Sequence, residues 1–168
     1  MTSAALQVRR LGAGDAAAFQ ALRLGGLRLN PDAFGSSWEE EVDRPLERTA
    51  ASLASAFVAG CEKDGVLVGI GGLRIGQSVK TRHRGGIWGV YVDPRARGLG
   101  VGKRLMAALI AQARAEVEDL TLTVSAHNEA AIALYRSLGF EPYGLDRRAL
   151  KIGEDYVDEL LMRLVLAG

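Results

Sequence analysis

The chain has 168 residues, of which 48% are apolar and 24% charged, with a formal net charge of +1. That length and apolar content suit one domain, residues 1–168, around one substantial core, and the near-neutral balance offers no global attraction for nucleic acid. Cys61 is the only cysteine, which excludes an intramolecular disulfide and a cysteine-based zinc site; no metal is expected, and a reducing compartment is the simpler setting.

Met1 to Arg10 lacks the apolar stretch of a signal peptide, and no window approaches the roughly 20 apolar residues of a membrane span, so a soluble, cytoplasmic protein with no membrane partner is expected. Leu6 to Arg10 alternates like a short strand, and Gly14-Asp15 caps a helix with Phe19, Leu22 and Leu27 on one face, ending by Asn30-Pro31. Trp38 to Asp43 and Pro45 to Ala54 read as helices, the second opening on a proline where one is tolerated. Phe57 to Cys61 and Val66 to Leu73 read as strands meeting across Lys63-Asp64-Gly65, an Asp-Gly hairpin signal. Gly76 to Gly86 reads as a polar loop carrying Lys80, Arg82, His83 and Arg84, followed by a strand at Ile87 to Val92 that Pro94 stops. Leu105, Met106, Leu109, Ile110, Ala113 and Val117 form the apolar stripe of a helix over Gly102 to Val117. Leu120 to Val124 is a strand, and Asn128 opens a helix that Gly139 closes. Arg147 to Ile152 and Tyr156 to Leu166 read as two strands joined by Gly153-Glu154-Asp155.

The densest signal is Val90-Tyr91-Val92-Asp93-Pro94-Arg95-Ala96-Arg97-Gly98-Leu99-Gly100-Val101-Gly102-Lys103, which runs from a strand through a glycine loop into a helix. Glycines at alternate positions leave the backbone bare, so successive N–H groups and the positive end of the helix dipole can face one anion, with Arg97 and Lys103 as flanking charges. Two nucleotide fingerprints fail. A P-loop would need glycine at Arg97 and a hydroxyl at Arg104, and a dinucleotide fingerprint starting at Gly98 would need glycine at Lys103.

What remains, Arg97-x-x-Gly100-x-Gly102 between a strand and a helix, resembles motif A of the GNAT family of acetyl-coenzyme A-dependent N-acetyltransferases. Downstream, Asn128-Glu129-Ala130-Ala131-Ile132-Ala133-Leu134-Tyr135-Arg136-Ser137-Leu138-Gly139-Phe140 is similar to the family's motif B. The specific motifs lie within residues 87–140, while the order of strands and helices follows the family over nearly the whole chain. The resemblance implies a mixed α/β (α+β) fold, the GNAT acyl-CoA N-acyltransferase fold, with a largely antiparallel mixed sheet of about seven strands flanked by about four helices.

It also implies an enzyme that moves an acetyl group from acetyl-CoA to a primary amine of a small molecule, peptide or protein. Arg97, Gly98, Leu99, Gly100, Val101, Gly102 and Lys103 would hold the pyrophosphate of coenzyme A. The backbone of Val90, Tyr91 and Val92 would pair with the pantetheine amides as an added strand does, through a gap between this strand and Leu120 to Val124. Gly89 signals a bulge that frees a main-chain N–H near Val90 or Tyr91 to polarise the thioester carbonyl.

Tyr135 stands where the family places a general acid, and a phenol near pKa 10 can protonate a thiolate; taken alone, it reads first as a core-filling aromatic. Asn128 reads both as a helix cap and as a cofactor contact. The general base stays open among Glu39, Glu40, Glu41 and Asp43 beside Trp38, His83, and water. The Lys80 to Arg84 run faces solvent or reaches the adenosine 3′-phosphate or an anionic substrate. A non-catalytic acyl-CoA sensor of the same fold is the alternative, a nucleotide hydrolase a distant third, and a homodimer is compatible with the family.

Overall fold

The computed structural model describes residues 5–166; residues 1–4 and 167–168 of the expected domain lie outside them. Lys63, Asp64 and Gly65 reverse the chain with φ of 51° at Asp64 and 82° at Gly65, the two positive values that a tight Asp-Gly hairpin turn needs. The turn joins β2 (Phe57–Lys63) to β3 (Val66–Ile75), and β1 (Leu6–Arg10) pairs antiparallel with the outer edge of β2. On the other side of β3 lies β4 (Arg84–Val92), also antiparallel.

Pro94 ends β4, and the chain crosses over through α4 (Val101–Arg114) to β5 (Asp119–Ser125), which lies parallel to β4. A parallel neighbour requires such a crossover. After α5 (Glu129–Ser137), β6 (Glu141–Ile152) and β7 (Asp155–Val165) form a hairpin whose second strand pairs with β5. The seven-stranded sheet therefore runs β1-β2-β3-β4-β5-β7-β6, with β4–β5 as its single parallel pair.

Each face of the sheet carries its own apolar cluster. Leu105, Met106, Leu109, Ile110 and Ala113 of α4 pack on Ala59, Cys61, Leu120 and Leu122, joined by Tyr135 and Phe140 at α5 and its end. Glycine lets α4 come this close: a Cβ at Gly69 of β3 would stand 2.6 Å from Val101 Cγ1. The opposite face is covered by α1 (Ala16–Leu29), the single turn α2 (Trp38–Glu41) and α3 (Leu46–Ser55), with Phe19, Leu27, Phe34 and Leu53 on Val58, Ile70 and Tyr91.

Several elements differ from the sequence expectation. The polar loop is shorter than Gly76 to Gly86, because β3 continues to Ile75 and β4 already begins at Arg84. The helix expected to reach Val117 ends at Arg114; Val117 is buried all the same, so the apolar pattern tracked packing beyond the helical conformation. The helix expected over Trp38 to Asp43 is one turn. β6 begins at Glu141 and not at Arg147, since Pro142, Gly144 and Asp146 are tolerated on an edge strand that needs hydrogen bonds on one side only. A bulge at Asp146/Leu150, with Arg148 at φ 55°, bends that edge. Among the described residues no helix is long and apolar enough to cross a membrane.

Leu105 is fully buried between α4 and the sheet, so Leu105→Ala should cost about 3 kcal/mol. Urea unfolding followed by circular dichroism should show a lower midpoint with an unchanged slope.

Candidate active site

The parallel pair does not persist. β4 and β5 are in register only at Arg84↔Asp119, Gly85↔Leu120 and Gly86↔Thr121; beyond these the strands splay, leaving facing edges from Ile87 and Leu122 onward without a ladder partner. A cavity of about 1040 Å³ fills the gap and runs from the glycine loop, past β4, to the α1–α2 connection. The position agrees with the rule that open sheets place ligands beyond the carboxyl ends of their parallel strands.

β4 itself is bulged. Ile70 pairs with Tyr91 and Gly72 with Trp88, so β4 spends one more residue than β3 over this interval. Gly89 has a φ of 62°, which favours glycine, and a Cβ there would stand 3.0 Å from Arg23 Nη1. Val90, Tyr91 and Val92 line the cavity. Tyr91 is buried against Phe34 at 5.6 Å between ring centroids, so its side chain belongs to the core and only its backbone faces the gap.

At the mouth, Gly100 caps α4 with a φ of 83° and cannot cap it with a side chain. The first backbone bond at this end is Arg104 N–H to Gly100 O at 3.1 Å. Among the described residues, the N–H groups from Gly98 to Lys103 have no protein acceptor. Gly98, Gly100, Val101, Gly102 and Lys103 line the cavity; Leu99 is exposed and does not. Arg97 lines it too, but its guanidinium turns back, Nε donating to Val92 O at 3.2 Å and Nη2 to Asn30 Oδ1 at 3.0 Å. Loop and helix end thus present a row of uncommitted donors and the free charge of Lys103.

On the far lip, Asn128 caps α5 by accepting from Ala131 N–H at 3.2 Å. Tyr135 reaches the cavity from about two turns further along α5, edge-on to Phe140. Burial pushes its phenol up to about 12, and among the described residues its hydroxyl has no hydrogen-bond partner. The phenol thus keeps its proton at neutral pH.

The α1–α2 connection spans both lips. Asn30 is held by Arg97 after β4, and Asp32 Oδ2 meets His127 Nε2 at 2.8 Å after β5, with Ser125 Oγ 3.0 Å from the other ring nitrogen. Nothing in the sequence signalled Asp32, Ser125 or His127, because partners separated by 95 residues leave no local spacing. Glu159 of β7 also lines the cavity, half-buried, with its carboxyl raised by burial and by Asp146 while the Thr123 hydroxyl pulls the other way. Its signal was readable: in Asp158-Glu159 two adjacent acids lie within a strand, and adjacent residues of a strand point to opposite faces, so one of them must point inward.

The candidate bases near Trp38 are engaged elsewhere. Glu40 accepts from Ser37 N–H at 2.9 Å as part of a helix cap. Glu41 is buried and accepts from Arg23 through two bonds, 2.7 Å to Nε and 2.8 Å to Nη2. Glu39, Asp43 and His83 do not line the cavity. Arg84 stands at the amino end of β4, roughly 25 Å of strand from the glycine loop, so the Lys80 to Arg84 run is remote from any phosphate held there.

Residues 26–140 match the Acetyltransferase (GNAT) family. The chain belongs to that family. It is 38% identical over 108 residues to N-alpha-acetyltransferase RimI of Mycobacterium tuberculosis, a match covering 64% of this chain and 65% of that protein. It is 35% identical over 150 residues to an aminoglycoside N(6')-acetyltransferase type 1 of Stenotrophomonas maltophilia, covering 84% and 90% of the two. The crystal structure of a GNAT acetyltransferase from Streptococcus pneumoniae superposes with a TM-score of 0.87 at 26% identity, over 97% of this chain and all of that one. The GNAT fold therefore accounts for the splayed sheet and its two flanking helices.

Beneath the bulge, Arg23 stacks on Phe34 and Trp88 while its bidentate partner Glu41 neutralises it. Burial alone would raise the carboxyl of Glu41, but the hydrogen bonds and charge of Arg23 hold it below the usual range. Glu41→Gln would strand a buried cation and should cost about 3 kcal/mol. Because the folded value is lowered, this stabilisation is present above the unfolded carboxylate value and lost as pH falls through the folded one. Melting temperatures across an acid series should fall more steeply for the wild type than for the variant.

Proposed function

We propose that this protein is a cytoplasmic N-acetyltransferase, one catalytic domain that moves the acetyl group of acetyl-CoA to a primary amine by direct attack. The observation that carries the reading is the row of unpartnered N–H groups from Gly98 to Lys103, opening onto a cavity that continues along the free edge of β4. Donors of this kind at a helix N-terminus suit a pyrophosphate, and a free strand edge suits the amides of a pantetheine arm. Acetyl-CoA supplies an activated acyl carbon when bound; the protein's own residues do the rest.

Gly98, Gly100, Val101, Gly102 and Lys103 grip the diphosphate, with Arg97 and Leu99 shaping the loop. Val90, Tyr91 and Val92 offer backbone groups to the arm, and Asn128 fixes the start of α5 beside it. The bulge at Gly89 leaves an N–H near Val90 free to stabilise negative charge developing on the carbonyl oxygen. Tyr135 then hands its proton to the departing sulfur. Burial weakens the phenol as an acid, but the same dry surroundings make a thiolate a stronger base, so the two remain matched.

The acceptor is an amine of a small molecule, peptide or protein. The relatives named for RimI and for aminoglycosides span that range. Tyr135→Phe should lower kcat about 100-fold while leaving the acetyl-CoA dissociation constant unchanged by calorimetry; an unchanged rate of thiol release would remove Tyr135 from the mechanism. Gly100→Glu forces a side chain into a left-handed backbone and a negative charge onto the anion seat. It should weaken acetyl-CoA binding more than tenfold, on the order of 2 kcal/mol from repulsion and lost donors, and retention of wild-type affinity would place the diphosphate elsewhere.

A further inference from the structure

The cavity crosses the sheet, so its two halves lie on different faces. Tyr135 belongs to the apolar cluster on the α4 side, together with Leu122 and Val124 of β5 and Met162 of β7. Side chains alternate along a strand, so Thr123 and Ser125 of β5 point to the other face, beneath the α1–α2 connection, and Glu159, opposite Ser125 in the register, points there with them. Three carboxylates line the cavity. Asp32 is bonded to His127, and Glu129 stands exposed in the first turn of α5. Glu159 is half-buried, and among the described residues no cation lies within ion-pair distance of it.

We propose that Glu159 is the general base that takes the proton from the acceptor amine. The assignment rests on the acetyltransferase reading above and completes it, because it puts acid and base on opposite faces with the splay between them. The amine approaches from the face covered by α1, its nitrogen forms a bond to the acyl carbon, and the carbon–sulfur bond breaks. The proton lost by nitrogen goes to the Glu159 carboxylate and from there to solvent. The proton gained by sulfur comes from Tyr135, which solvent then restores. An acceptor that arrives as an ammonium ion releases its other proton to water.

The surroundings suit the task. Asp146 faces Glu159 from β6, Thr123 and Ser125 from β5, and Arg23 and Arg74 share the same cavity. Burial, with Asp146 adding to it and Thr123 opposing it, raises the carboxyl above its ordinary value, and a base with a raised pKa accepts a proton more readily near neutrality. Activity should therefore fall as pH drops through that raised value, where the carboxylate becomes protonated.

The test is free-thiol release from acetyl-CoA with an alanine-initiated peptide, kanamycin and methoxyamine as separate acceptors, alongside calorimetry with acetyl-CoA alone. Glu159→Gln should lower kcat/KM for the peptide or kanamycin by about 100-fold or more, erase the acidic limb of the pH profile taken with methoxyamine, whose own nitrogen stays neutral across that range, and leave acetyl-CoA binding intact. The loss should shrink with methoxyamine, whose weakly basic nitrogen becomes a stronger acid once bonded to the acyl carbon and so depends less on a protein base, and Glu159→Asp should recover part of the rate. If the wild type turns over and Glu159→Gln matches its rate and pH profile, Glu159 is not the base. If the limb survives in Glu159→Gln but vanishes in His127→Gln, the Asp32–His127 pair holds that role instead. If the wild type releases no thiol with any acceptor while still binding acetyl-CoA, the acetyltransferase reading falls, and the role of Glu159 with it.

Discussion

Every feature of the site follows from one interrupted ladder. β4 and β5 pair for three residues and then part, although a buried, unpaired backbone group costs about 1–3 kcal/mol. The separation is held open from both sides. Gly89 bulges β4 away from a regular ladder, and the helices that follow each strand, α4 and α5, set their amino ends on the two lips. The unmet donors and acceptors are therefore a standing demand for hydrogen bonds, in the one place where an extended ligand carrying amides can meet it. A fully paired sheet would be more stable and would have no route through its middle.

Support for the bulge comes from beneath. Arg23 lies against Phe34 and Trp88, is neutralised by Glu41, and comes close enough to position 89 that a Cβ there would press on its guanidinium. A buried ion pair of this kind adds little net stability compared with well-packed apolar groups. What it supplies is a rigid, polar underside to the strand that must stay irregular. Glu41 is committed in the same way: its carboxylate accepts two guanidinium bonds, at 2.7 and 2.8 Å, within the fold and does not line the cavity.

What the sequence revealed and what it hid divide along one physical line. The glycine loop and the cap at Asn128 are local: each depends on residues within one turn, so spacing exposed them, whereas Tyr135 stood out only through the resemblance of Asn128 to Phe140 to the family's motif B. The hairpin at Asp64-Gly65 was legible for the same reason. β6 was shortened because its Pro, Gly and Asp residues carry low strand propensity, and only its place at the sheet edge makes them acceptable. Glu41 looked available because three consecutive glutamates resemble a solvated face; which of them turns inward to Arg23 depends on a helix 18 residues earlier in the chain. Asp32 with His127 is harder still, since neither residue has a reason to be notable until the fold brings the two together.

That last pair bears on how the site closes. The α1–α2 connection is fastened at Asn30 to the β4 lip and at Asp32 to the β5 lip, so it crosses the mouth of the splay like a bar. On the proposed reading, a ligand running from the glycine loop to the bulge passes under it, and the acceptor enters on its other side, where Trp88, Arg74 and Glu159 line the wall. In that proposal the bar separates the cofactor entrance from the acceptor entrance. Loops on a rigid scaffold are where such folds vary, and this one touches both halves of the cavity. Acceptor choice and cofactor grip are then linked in that proposal: a change of sequence in Asn30 to Ser36 that admits a bulkier amine also alters the two fastenings that tie the connection to both lips.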